Sequence, residues 1–467
     1  MKKLILIEFN ELCPPLLARW MADGHLPNFA KFHAQSDVFT TRADEPEGLN
    51  LEPWIQWYSL HTGIPFSQHH VFHLTDGPRA KHPDVWSILS ANGFSVWNCS
   101  SMNARRIAAK GARYMPDPWC DSEMPFPPDM QAYYKVVSQQ VKEYSNRDHG
   151  LSLGELRRFL WFMTTHGLSS ATVSAIVGQL ASEKLGSRDS WKRAVLLDML
   201  QFDVFRHYFR KDRPDFSTFF VNSTAHLQHS YWRHMAPEAF SVRPGENEVA
   251  AYKDAILFGY QKMDALLGRF MRLAGGDTTL IFATALSQQP YLKYEAIGGH
   301  HFYRPRDVKS LLERLHIAPE RVEPVMTHQF VARFRTPEEK ADAERRLAAV
   351  TSNGARVFGF DEADALSLYF GCQLRTQLAK DATLDLGGNE PPVGFFEYLY
   401  QIEGMKSGRH HPDGCLWIRQ GRHRVVEERV SILDVLPTVL SFFGVSAAGF
   451  PGRALIGEPA PMPAAAE

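Results

Sequence analysis

The chain opens on an apolar run, residues 4–9, broken only by Glu8. Such a run predicts a strand buried on both faces, as in a parallel sheet. Pro14-Pro15 then predicts a helix start, and the stretch 16–23 ends at Gly24. The alternation continues, with strands predicted over 94–98, 217–222, 278–283, 329–334 and 414–418. Helices are predicted over 84–92, 250–273, 307–315, 337–350 and 431–443. Residues 116–128 read as a Pro- and Asp-rich loop, 223–234 as a His-bearing loop-to-helix segment and 287–290 as a polar turn. Between 129 and 210 helical periodicity dominates. Strands alternating with helices predict an α/β fold with a mainly parallel sheet, helices on both faces and a helical insertion.

The predicted organisation is an N-terminal part of the α/β core over 1–128, a helical insertion or cap over 129–215 and a return to the core over 216–317. A small α+β excursion over 318–400, the C-terminal part of the core over 401–458 and a flexible Pro/Ala-rich tail over 459–467 complete it. Open α/β sheets bind ligands beyond the C-terminal ends of their strands, which places Glu8, Asn10 and Glu11 where chemistry is expected.

Composition narrows the partners. The 467 residues carry 51 Lys+Arg against 52 Asp+Glu, a formal net charge of -1. That balance argues against a nucleic-acid or anionic-membrane binder, both of which rely on excess positive charge. No apolar run approaches the roughly 18 residues of a membrane span. Cys13, Cys99, Cys120, Cys372 and Cys415 show neither a C-x-x-C pair nor a disulfide framework, and the first apolar run is short for a signal peptide, so a cytoplasmic protein is expected. The 20 histidines cluster, as in His226 with His229, His300-His301 and His410-His411. Histidine is the commonest transition-metal ligand and a proton carrier near neutral pH.

Five segments, in order along the chain, carry a family resemblance. They are 4–8 with Leu26-Pro27-Asn28, then Ser59-Leu60-His61-Thr62-Gly63 with His70, then Asn222 to Trp232, then His410-His411-Pro412-Asp413-Gly414, and last Asp434-Val435-Leu436-Pro437-Thr438 with Pro451-Gly452-Arg453. Together they resemble the alkaline phosphatase superfamily, most closely its type I phosphodiesterase and sulfatase-like branches. The resemblance implies an alkaline-phosphatase-like α/β fold and a metal-assisted hydrolase of phosphate- or sulfate-type esters. Members hold two divalent metals through carboxylates and histidines around a Ser, Thr or Cys nucleophile. Here Glu8 stands for the early Asp, Pro53 or Glu52 falls at the nucleophile, and Asn222 and Gln288-Gln289 replace other ligands. Neutral amides cannot balance two dications, so a two-metal centre of the usual kind is not expected.

Three readings of the crevice stay open. In the first, His226, His229 and His410, with Glu8 or His300, hold one divalent ion, zinc or manganese, in a divergent hydrolase or transferase. In the second, no metal binds and Glu52 works with His61 or His70 as acid, base or nucleophile. In the third, the crevice binds a ligand without turning it over. Asn10, Gln56, Asn103, Arg105, Asn222, Gln288, Gln289, His300 and Arg304 are the expected contacts to a small-molecule or glycan-type anionic substrate, since amides donate hydrogen bonds and guanidinium forks suit oxyanions.

Overall fold

In the computed structural model the described residues are 2–45, 51–120, 122–143, 152–186, 189–325, 328–361, 364–387, 391–402 and 405–456. The expected flexible tail over 459–467 lies outside them. The strands that place the site are β1 (Lys3–Phe9), β2 (Ser36–Arg42), β3 (Val96–Cys99), β4 (Ala112–Met115), β5 (Phe216–Val221), β6 (Thr278–Ala283), β7 (Ser287–Pro290), β8 (Gly408–His411), β9 (Asp413–Arg419) and β10 (Arg424–Ser431). Eight of them form one sheet in the order β10-β2-β9-β6-β1-β5-β3-β4. Only β9 runs against its neighbours, so the sheet is mainly parallel, as the alternating pattern predicts.

The apolar character of β1 follows from its central place: β5 and β6 flank it, and residues 4–9 are all buried. One core cluster lies on each face. Ile5, Ile7 and Phe9 contribute to one and Leu4 and Leu6 to the other, the period of two that a strand imposes. Four helices bear on the site: α1 (Pro53–Thr62), α2 (Arg193–Asp212), α3 (Ser223–Met235) and α4 (Ala255–Ala274). Pro53 opens α1 at a position where a missing N–H costs nothing, and Gly63, at φ 63, closes it in a left-handed conformation. The stretch 129–212 is helical throughout most of its described length, with Gln131–Glu143, Leu153–Thr165 and Ser170–Lys184 preceding α2.

A four-stranded antiparallel sheet, in the order Phe358–Asp361, Ser367–Cys372, Gln329–Arg333 and Arg321–Pro324, has its own apolar cluster around Phe330, Leu347 and Phe370. Two local expectations are corrected. Residues 287–290 form a strand rather than a turn, because β8 pairs with them antiparallel. The helix expected over 250–273 is two helices, Glu246–Tyr252 and α4. All five cysteines are free and buried, and no described helix is long and apolar enough to cross a membrane.

Glu8 is fully buried on β1. Its Oε1 lies 2.8 Å from His61 Nε2 on α1, and Ser101 Oγ donates to Oε2 at 2.7 Å. The metal role expected for Glu8 and the proton-carrier role expected for His61 both give way to this internal pair, which joins the sheet to α1. Removing one partner of a buried hydrogen-bonded pair leaves the other's polar group without its partner and costs about 1–3 kcal/mol. His61→Ala is therefore expected to lower unfolding stability by that amount in urea titration; a loss below about 1 kcal/mol contradicts the assignment.

Candidate metal centre

Beyond β1 the chain turns through Asn10 and Glu11. Glu11 is buried and sits at φ 62, a left-handed conformation that costs a non-glycine residue about 1–2 kcal/mol. The surroundings hold it there. Gln228 Nε2 on α3 donates to the Glu11 carbonyl at 2.8 Å, and Tyr260 on α4 donates to Gln228 Oε1 at 2.8 Å. Asn10 Nδ2 donates to Glu11 Oε1 at 2.8 Å, and Gln288 Nε2 on β7 donates to Oε2. Strain concentrated at a buried carboxylate is a feature of functional sites.

Two imidazoles face the same carboxylate. His229 Nε2 on α3 is 3.2 Å from Glu11 Oε2, and His410 Nε2 on β8 is 3.6 Å from it. One donor atom from each of Glu11, His229 and His410 falls within 4.8 Å of the others. His229 Nδ1 lies 2.9 Å from the Gly408 carbonyl. A carbonyl only accepts, so Nδ1 carries a proton and Nε2 is the ring nitrogen turned toward Glu11. Glu52 Oε2 stands 3.5 Å from His410 Nδ1, on the far side of that ring. A carbonyl behind one ring and a carboxyl group behind the other stand where the outer partners that orient a metal-binding histidine would stand.

The electrostatics agree. Burial raises the Glu11 carboxyl, but the facing His410 and His229 and the hydrogen bonds from His229 and Gln288 outweigh it and hold it at about 2. Burial pushes His410 down to about 3 against the pull of Glu11. Glu11 is thus ionised and His410 neutral near pH 7, the states that bind a metal ion. Glu52 keeps a third of its side-chain surface. The protein around it nevertheless excludes enough water that desolvation, with repulsion from Glu11, raises its carboxyl to about 8 against the nearby Lys406.

The backbone brings the strands together tightly. A Cβ at Gly408 falls 2.3 Å from Gln288 Oε1 and 2.6 Å from the Gln228 carbonyl, so only glycine lets β8 approach β7 and α3 here.

The other expected residues divide. Asn222 Oδ1 accepts from Asn10 Nδ2 at 2.6 Å, Asn10 Oδ1 accepts from Trp57 at 2.7 Å, and Gln289 donates to the His410 carbonyl at 3.1 Å, so these side chains brace the cluster. His226 is close enough for His229 to act on its charge, but it stands outside the three-residue group. His70 is exposed at the end of a short helix, against Phe66. Gln56 is buried and accepts from the Asp44 N–H. Asn103 is a buried strut between Gly77, Trp54, His73 and Asp117. Arg105 pairs with Asp84 at 3.2 Å, and Arg304 lies buried over the Phe330 ring at 4.4 Å. The substrate contacts expected of Gln56, Asn103, Arg105 and Arg304 therefore give way to structural roles, each set by a local partner. Glu11 was placed at the strand end by sequence without a ligand role; its neighbour Asn10 and the end of the apolar run were the available signal.

The chain matches no family model and no curated protein. Among solved structures of the alkaline phosphatase superfamily, it is similar to phosphonoacetate hydrolase from Sinorhizobium meliloti 1021 in complex with phosphonoformate (13% identity, TM-score 0.42, 94% of this chain and 95% of that one). It is also similar to murine ectonucleotide pyrophosphatase/phosphodiesterase 5 (9%, 0.41, 97% and 98%) and to alkaline phosphatase PafA (12%, 0.47, 97% and 98%). At such identities the chemistry of this centre rests on its own residues.

One buried acid outside the cluster fixes the site helix. Ser223, the first residue of α3, donates to Asp198 on α2, and burial raises the Asp198 carboxyl to about 7. Because the folded value exceeds the unfolded one near 3.8, its stabilising contribution is complete below about pH 4 and is lost as pH rises through about 7. At about 1.4 kcal/mol per unit this amounts to a few kcal/mol. Asp198→Asn is expected to flatten the decline of unfolding free energy between pH 4 and 8; an unchanged slope contradicts this.

Proposed function

We propose that the crevice holds one divalent cation, zinc or manganese, and hydrolyses or transfers a phosphate- or sulfate-type ester. The observation that carries this reading is the His229 ring, fixed by the Gly408 carbonyl so that its Nε2 and that of His410 converge on one oxygen of the buried Glu11. Glu11, His229 and His410 are the residues that would hold the ion, and their donor set suits one such cation. A set of one carboxylate and two imidazoles does not balance two dications, so the centre is read as mononuclear. When bound, the cation supplies Lewis acidity toward an ester oxygen.

The chain's own groups do the rest. A single carboxylate leaves the loaded centre with net positive charge, which draws an anionic ester. Asn10 and Gln288 spend their amide hydrogens on Glu11 and keep both of its oxygens oriented. Glu52, partly exposed behind His410, is the carboxyl placed to take up or release a proton at Oε2. Its nucleophilic role has no support in these contacts; holding His410 and exchanging protons does.

Elemental analysis of protein purified without added metal or chelator tests the reading. About one equivalent of zinc or manganese is expected, lost in Glu11→Gln and in His229→Ala/His410→Ala, together with turnover of bis(p-nitrophenyl) phosphate, p-nitrophenyl phosphate or p-nitrophenyl sulfate. Glu52→Gln is expected to keep the metal with affinity or activity lowered by roughly 10- to 100-fold, the range for an outer partner. A metal-free protein with no turnover leaves a crevice that only binds.

A further inference from the structure

Next to the Glu11 centre the structure brings together two positive charges, Lys406 and Arg375. Lys406 Nζ lies 5.8 Å from the centroid of the Phe302 ring, and Arg375 Cζ lies 5.4 Å from the same centroid. Lys406 also lies 5.9 Å from the Tyr291 ring. Backbone hydrogen bonds fix this grouping: Lys406 N–H donates to the His300 carbonyl, His301 N–H to the Arg375 carbonyl and Tyr291 N–H to the Ser407 carbonyl. Both cations are half-buried, and neither has a carboxylate within 4.0 Å among the described residues. Arg375 instead spends donors on the Cys372 and Leu374 carbonyls and on His328 Nε2.

His300 lies within the same cluster. It is buried between Tyr291, Tyr294 and Phe302, with ring centroids 5.3, 4.4 and 4.4 Å away, and neither of its nitrogens has a hydrogen-bond partner. Burial and the charges of Arg375 and Lys406 keep it neutral. A neutral imidazole still carries one N–H, and an unused buried donor costs about 1–3 kcal/mol. Like charges drawn together over one ring beside an unused donor are an arrangement that an oxyanion stabilises. Lys406 is also near enough to act on Glu52 and His410, so this group borders the metal centre.

We propose that Lys406, Arg375 and His300 form an oxyanion subsite beside the Glu11, His229 and His410 centre, and that the substrate carries a second anionic group, phosphate or carboxylate, besides the ester that reacts. The subsite rests on residue contacts, whereas its place in the substrate rests on the ester reading above. The flanking Phe302, Tyr291 and Tyr294 rings give the second group an aromatic wall.

Calorimetric titration of the full chain with inorganic phosphate and, separately, acetate tests it. Saturable binding is expected in the wild type and in His229→Ala/His410→Ala, where the cation ligands are gone and only the subsite remains. In that background Lys406→Met and Arg375→Met should each weaken binding at least about 10-fold, the loss of one charge-assisted hydrogen bond. Lys406→Arg should keep it within a few-fold, which separates lost charge from lost fold. Tighter phosphate identifies a phosphoryl group and tighter acetate a carboxylate. Binding that disappears with His229 and His410, survives both methionine substitutions, or fails for both anions overturns the subsite. Metal content, measured independently, decides the ester reading and leaves this titration unaffected.

Discussion

The burial of two carboxylates at the end of one central strand is the constraint on which the rest of the site depends. Glu8 and Glu11 are both nearly free of solvent, and each must find partners or cost several kcal/mol. Glu8 finds them within the core, in His61 and Ser101. Glu11 finds them in residues drawn from far along the chain, Gln288 on β7, His229 on α3 and His410 on β8. The first pair binds α1 to the sheet, and the second set gathers three elements around one point. A single strand thus anchors both the framework and the chemistry.

Much of the framework was legible because buried strands leave a local mark. The run at 4–9 and the one at 278–283 are apolar since helices cover both faces of a parallel sheet, and both became adjacent central strands. The segment 287–290 carries no such mark. Its polar residues pair with β8, more than a hundred positions later, and only that partner makes them a strand. Glycine at 408 shows the same limit, because its need for close approach to Gln288 and Gln228 comes from tertiary contact alone.

The site was legible in part, for the same reason. His229 and His410 stood out as histidines near expected strand ends, and both meet at one carboxylate. Which carboxylate was not readable: Glu8 lies inside the apolar run and Glu11 just beyond it, and the turn at positive φ sends Glu11 into the crevice. Asn103, Gln56 and Arg105 looked like ligand contacts by residue type, yet each has a nearby backbone or side-chain partner that absorbs it. Arg375 and Lys406 gave no signal at all, since only the packing around Phe302 brings them together.

The number of cations is the point at which the proposed centre would part from the two-metal pattern its motifs resemble. Amides at Asn10, Asn222 and Gln288 form hydrogen bonds to one another and to Glu11, so they complete a neutral brace around one charge. Anomalous difference density from a crystal of the purified protein, collected above and below the edge of the metal it contains, tests that claim directly. The account predicts one peak within bonding distance of Glu11 Oε2, His229 Nε2 and His410 Nε2. Two peaks, or a single peak held by other residues, contradict it.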